Sequence, residues 1–352
     1  MPVNIYVGSE LEKLLLKSRS KTAKFPHRSG QYYANYLVIK QYLADKYYSV
    51  AASGLATNGD RYTKHDIGHV DDVITTAGHM LGFDTDPIAA SKLLEPYEVF
   101  VLLVAILLHD AGNAVAREGH EQKAGEILRE VAVAANLTAL EQRMIASIAQ
   151  AHGGEMEDGN KDTITELIVD PVPSIGNVKV RARLLAALLR LADELSENPT
   201  RADQVAIDKP DTPDISLLAN LYCKSINTKI DHAGKSITLA YDIEMELLPR
   251  VFKVQTKQGG TSEVMFIDYV ADRLEKCERE RRYCNRFLVG AAGYDRIRAS
   301  LVVIRDHREV DRVAVDLEEG GYPGLTMRVK QLEPQFDGCV MRDKHCSPIQ
   351  EE

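Results

Sequence analysis

His109 and Asp110 stand side by side where an apolar run, Val99 to Leu108, comes to an end. A histidine pair, His65 and His69, lies upstream of them, and Asp193 closes a second leucine-rich run, RLLAALLRLAD. Neutral imidazole nitrogens and ionised carboxylate oxygens together suit a divalent ion of the Mn, Fe, Ni, Zn or Mg kind. Such an ion lowers the pKa of water enough to make hydroxide near neutral pH, so the chemistry these residues point to is hydrolysis.

The elements that must carry them are helices. With about 3.6 residues per turn, Ile67, Val70, Ile74, Ala77 and Leu81 share one face, which predicts the core side of a helix over 64–82. His69 falls at the edge of that face, about 100° from its centre, near the interior yet open to a cleft. An exposed polar-face histidine is the ordinary alternative for both His65 and His69. The string PYEVFVLLVAILLHDAG is apolar on all sides and reads as a buried helix, at whose end an uncompensated charge is costly. A metal supplies the compensation. Each residue also has a plain structural explanation: Asp110 capping the next turn, His109 bonding a carbonyl, Asp193 pairing with Arg190 one turn back. Dismissing the set requires all of these at once, so it reads as a metal site assembled from helix ends.

Apolar residues recur at three- and four-residue spacing through the first two thirds of the chain, predicting helices over 9–17, 30–49, 64–82, 97–110, 119–135, 138–152 and 179–196. Gly153-Gly154, Pro171 and Pro173 punctuate the gaps, and EMEDGNKD reads as an exposed loop. Beyond Lys209, where Pro210 and Pro213 interrupt the pattern, strands are expected at 236–246, 299–304 and 310–317, with a charged helix over 262–288. The expected fold is mainly α: an all-helical bundle over 1–208, then a smaller α+β accessory or regulatory region over 209–352 with a polar, poorly ordered tail.

With 352 residues and 45% hydrophobic content the chain can bury one sizeable core and a second, smaller one. Its net charge of −9 argues against broad binding to nucleic acid or anionic membranes, which relies on clustered Lys and Arg. Five cysteines without CxxC spacing exclude a zinc ribbon and a disulfide framework. No secretory signal opens the chain and no apolar run reaches the roughly 18 residues of a membrane span, so a cytoplasmic location is expected.

His69, then His109-Asp110, then Asp193 in LLRLADEL, resembles the H…HD…D signature of the HD-domain metal-dependent phosphohydrolases, over about residues 30–205. The resemblance implies that His69, His109, Asp110 and Asp193 are metal ligands, and that His65, in an HDxxH form, faces substrate. His120 and His152 correspond to histidines that bind a second ion in two-metal HD phosphodiesterases. In the dNTP triphosphohydrolases, histidines after the HD pair instead contact phosphates or act as general acid. HDAGN followed by His120 resembles the HD-x-G-N…H run of bacterial dNTPases, with a spacing two residues longer, and draws Asn113 towards substrate. Gly321-Tyr322-Pro323 comes well after Asp193, unlike the tripeptide of the HD-GYP group, and reads as a turn.

A phosphate substrate needs cations, and Arg61, Lys64, Arg117 and Arg201 flank the ligand candidates. The expected activity is therefore hydrolysis of a (deoxy)nucleoside triphosphate to nucleoside and triphosphate. The catalytic residues are expected to be Asp110, His120 and His152, with one or two divalent ions per chain, manganese among the candidates. The resemblance extends to HD proteins of bacterial conflict systems, which makes anti-phage defence the expected setting. A homo-oligomer and a nucleotide effector are expected partners. Two other readings stay open: a phosphodiesterase for cyclic or linear oligonucleotides, and a nucleotide sensor without turnover.

Overall fold

A computed structural model of the chain describes residues 5, 7–27, 31–52, 63–115, 119–156, 158–255, 259–318 and 329–346. The chain divides into two compact units. The first comprises residues 1–59, 64–196 and 284–293, and the second 60–63, 197–283 and 294–352. The division after Ser196 falls upstream of the prolines near Lys209 that mark a boundary in the sequence.

In the first unit the principal helices are α1 (Glu10–Ser18), α2 (Tyr32–Leu43), α3 (Ile67–Met80), α4 (Pro96–Leu108), α5 (Ala124–Ala132), α6 (Ala139–Gln150) and α7 (Ala182–Glu194). Short strands β1 (Ser174–Ile175) and β2 (Val178–Lys179) form a small antiparallel hairpin before α7. α4 is the core of this unit. Every side chain from Tyr97 to Leu108 is buried, and α1, α2, α3, α6 and α7 pack around it. That explains a pattern with no polar face: the helix has no side turned to water. The helical run Pro96–Ala114 is in fact long and apolar enough to cross a membrane by length and composition, contrary to the sequence expectation, and 94% of its span is buried in protein.

The starts of these helices follow from local chemistry. Pro96 occupies the first turn of α4, where its missing N–H costs nothing, and Glu95 and Glu98 form a reciprocal capping box. Thr138 and Glu141 do the same for α6, and the fully buried Glu141 also accepts from the hydroxyls of Tyr32 and Tyr97 at 2.9 and 3.0 Å. After α2 the chain takes one π-helical turn, Ala44–Tyr48, and the Tyr48 hydroxyl donates to the Leu107 carbonyl at 2.8 Å.

The second unit contains α8 (Asp214–Ser225), most of α9 (Phe266–Asn285) and α10 (Gly338–Cys346). Its strands are β3 (Ile226–Asp231), β4 (Ser236–Glu244), β5 (Val251–Gln255), β6 (Thr261–Met265), β7 (Arg296–Arg305) and β8 (Arg308–Glu318). Four of them make a mixed sheet in the order β3-β4-β7-β8, with β4 and β7 parallel and the outer pairs antiparallel; β5 and β6 pair separately. β8 alternates Val313, Val315 and Leu317 inward with Arg312, Asp316 and Glu318 outward, the period of a half-buried strand. Asp306 and His307 both have positive φ (50° and 61°), as a two-residue hairpin turn of this hand requires.

The mainly helical first part and mixed α and β second part agree with the fold class expected from sequence. The tail differs. Gly338–Cys346 is a helix, because Asp337 accepts from the N–H groups of Cys339 and Val340, Met341 is buried, and Lys344 and His345 both reach Asp311.

Candidate metal centre

Helix ends and the turns that follow them bring His65, His69, His109, Asp110, His120, His152 and Asp193 together, all within the first unit. Asp66 caps α3, its Oδ1 accepting from the N–H groups of Gly68 and His69 at 2.9 and 3.2 Å. That cap sets His69 in the first turn, where its ring is 2% exposed and points inward. His109 and Asp110 end α4, and Asp193 sits in the last turn of α7.

His69 Nε2 lies 3.2 Å from Asp193 Oδ1 and 3.5 Å from Asp110 Oδ2. His109 Nε2 stands 3.5 Å from each of the same two oxygens. The His109 Nδ1 is 2.7 Å from the Ile106 carbonyl, which can only accept, so Nδ1 donates and Nε2 is the nitrogen turned to the site, with a lone pair whenever the ring is neutral. This fully buried Nε2 makes no hydrogen bond. A buried acceptor aimed between two carboxylates and a second imidazole is what a cation would complete.

Asp110 has a second face. Its Oδ2 lies 2.7 Å from His65 Nδ1, on the side of His69 and His109, while its Oδ1 lies 3.2 Å from His120 Nε2 and 3.9 Å from His152 Nε2. His152 Nδ1 is fixed on the Ala149 carbonyl at 2.6 Å, which leaves its Nε2 as the acceptor turned to the site. His120 is the more open of the two, 22% exposed, with Nδ1 3.3 Å from Glu121 Oε2. Ligand atoms thus converge in three overlapping sets: His65, His69 and Asp110; His69, His109 and Asp193; Asp110, His120 and His152.

The charges agree with a site built for cations. Burial alone would raise both carboxyls, but the neighbouring imidazoles of His109 and His65 hold Asp110, and those of His109 and His69 hold Asp193, well below the ordinary carboxylate range. Burial works against charge on His109, and without an ion Asp110 and Asp193 outweigh it, raising its pKa to about 9; a metal at Nε2 would take the place of that proton. His152 goes the other way: burial, then the nearby His109, lower it to about 4. The donor set fits a divalent ion without further ligands being invented.

Of the remaining predicted residues, Asn113 is buried in the short turn after Asp110 and Lys64 is exposed beside His65. Arg201 belongs to the second unit, where it is 4% exposed and paired with Glu197 at 3.1 Å, and Thr63 lies 3.5 Å from it. Arg61, Arg117 and the Gly321–Pro323 tripeptide lie outside the described residues. Arg190 donates to the Gly153 carbonyl and to Thr163 at 3.1 and 2.7 Å, which ties the chain after His152 to α7. Sequence reasoning passed over Glu121, although it directly follows His120, and Glu98, whose partner Arg181 is far away in the chain.

A helical bundle that gathers histidine, histidine-aspartate and aspartate from three of its helices in this order is an HD domain. A family model described as HD-CE matches residues 59–244, more than half of the chain, and the chain belongs to that family. Membership implies a metal-dependent phosphohydrolase, and the buried His/Asp clusters are consistent with divalent metal binding. No curated protein matches the chain.

Proposed function

We propose that the chain hydrolyses phosphoesters of nucleotides, with (deoxy)nucleoside triphosphates as the first substrate class and nucleoside plus triphosphate as products. The observation that carries the reading is the double-faced Asp110, with His65, His69 and His109 around one oxygen and His120 and His152 around the other. His69, His109, Asp110 and Asp193 would hold a divalent ion, which supplies Lewis acidity and a lowered pKa for attacking water. Asp110, His120 and His152 offer a second position. His120 is the residue we assign to protonating the leaving oxygen: it stands at the rim, and Glu121 backs its far nitrogen. His152, anchored through Nδ1 and nearly enclosed, suits holding rather than donating. His65 stands on the opposite side of Asp110 from His120, and we assign it, with the exposed Lys64 next to it in sequence, to meeting phosphate oxygens.

The second position also favours a phosphodiesterase for cyclic or linear oligonucleotides, since two ions can steady both the attacking and the leaving oxygen. Incubating the manganese-loaded protein with dNTPs, NTPs and cyclic dinucleotides, alongside elemental analysis, separates the readings. Intact triphosphate among the products supports the first; two ions per chain with cleavage only of diesters supports the second. Binding without turnover of any compound would leave a nucleotide sensor. Depletion of nucleotides during infection is the defence role such an activity would serve.

A further inference from the structure

Beside the His120 and His152 end of the site lies a cavity of about 420 Å³, open on one side. It adjoins the candidate centre: Glu121, one wall, is in contact with His120, and Gly153, another, directly follows His152. Its polar lining is one-sided in chemistry. Glu121, Glu155, Asp158 and Glu166 contribute carboxylates and Gln122 and Gln150 contribute amides, while no Lys or Arg is among the described lining residues. Lys161, paired with Glu155, and the buried Arg190, which donates to Gly153 and Thr163 in the wall, offset only part of that charge.

Ionised carboxylates only accept hydrogen bonds, and a phosphate oxygen has none to give. An anionic phosphate chain is therefore repelled from this cavity, and its charge is met at the other side of Asp110, where His65 stands. What the cavity can take is a neutral group rich in N–H and O–H donors, and its volume lies in the range of small-molecule sites. Resting on the nucleotide reading above, we infer that this cavity receives the nucleoside end of the substrate. Base and sugar donors meet Glu155, Glu166 and Gln150, and the phosphates extend away across the metal ligands. The orientation puts the nucleoside-side oxygen next to His120, the residue assigned to protonate it.

The test needs no turnover. Guanosine, which carries donors on both base and sugar and has no phosphate, is titrated into the metal-loaded wild type and a Glu155→Gln/Glu166→Gln variant by calorimetry, and inorganic tripolyphosphate is titrated in parallel. Both substituted residues are exposed, and an unchanged melting temperature checks the fold. The expected result is guanosine binding in the wild type, weakened at least tenfold in the variant, with tripolyphosphate affinity altered by less than twofold. Guanosine affinity equal in the two proteins, or no guanosine binding at millimolar concentration, overturns the inference. So does tripolyphosphate binding that tightens sharply in the variant, because phosphates would then occupy the cavity. Each of these results leaves the hydrolytic reading to its own product assay, which can succeed or fail independently.

Discussion

Gly112 is bare because nothing else fits: a Cβ there would stand 2.1 Å from the carbonyl oxygen of His120. The glycine two residues after Asp110 is what lets the His120 segment fold back on the HD turn and bring its ring to Asp110. Gly112→Ala is expected to push that segment away while leaving His69, His109 and Asp193 in place. Metal analysis should then find the first ion retained and any second one lost, and phosphoester turnover should fall by about 10²–10⁴, the usual worth of a positioned proton donor. At this scale much was legible in the sequence. His69, His109, Asp110 and Asp193 declare themselves by type and by their places at helix ends. The division of labour between the two oxygens of Asp110 was not, because it depends on which rings arrive on which side, and that is fixed by packing between helices.

At the scale of elements, α4 and α7 are a matched pair of 13 residues each, about 20 Å at 1.5 Å per residue. Their starts are fastened together: the buried Glu98 accepts from the Arg181 backbone N–H and from its Nε, both at 2.9 Å, and from its Nη2 at 2.5 Å. Their ends meet where His109 faces Asp193. Two equal rods pinned at one end bring their tips level, so Glu98 sets the register of the candidate ligands His109 and Asp193 from a full helix length away. Burial would raise the Glu98 carboxyl, and its bonds to Arg181 hold it below its ordinary 4.5. A depressed carboxyl contributes stability that is present above the ordinary value and lost as pH falls through the folded one. Glu98→Gln is therefore expected to cost about 2 kcal/mol at neutral pH by urea unfolding. The difference from wild type should shrink as the pH is taken below 4.5, and metal affinity at neutral pH should weaken. The periodicity that predicted these helices was strong because each has a continuous apolar surface. The Glu98 and Arg181 link was invisible, since nothing local marks residues that meet across 83 positions. The strands β3, β5 and β6 escaped for another reason: β5 and β6 bury only Phe252 and Met265, too few for an alternation to stand out.

For the whole molecule, every candidate ligand lies in the first unit, so metal should act on one unit alone. Stripping the ions with a chelator is expected to lower the first unit's thermal transition by roughly 5–10 °C and to leave the second unit's unchanged, as calorimetry or hydrogen exchange resolved by segment would register. The broad change of character along the chain was legible, because helical periodicity gives way to short alternating runs. The interleaving of the units, with residues 284–293 counted in the first, was not, because composition carries no record of which part a segment packs on. The parallel pairing of β4 with β7 sets the order of events when the chain is made. Residues 245–295 must be synthesised and traversed before those two strands can meet. Loop closure of that length comes before any contact rewards it. The central pairing of the sheet thus waits for most of the chain to be made, and the first unit, which takes up residues 284–293, receives its last segment only just before β7 appears.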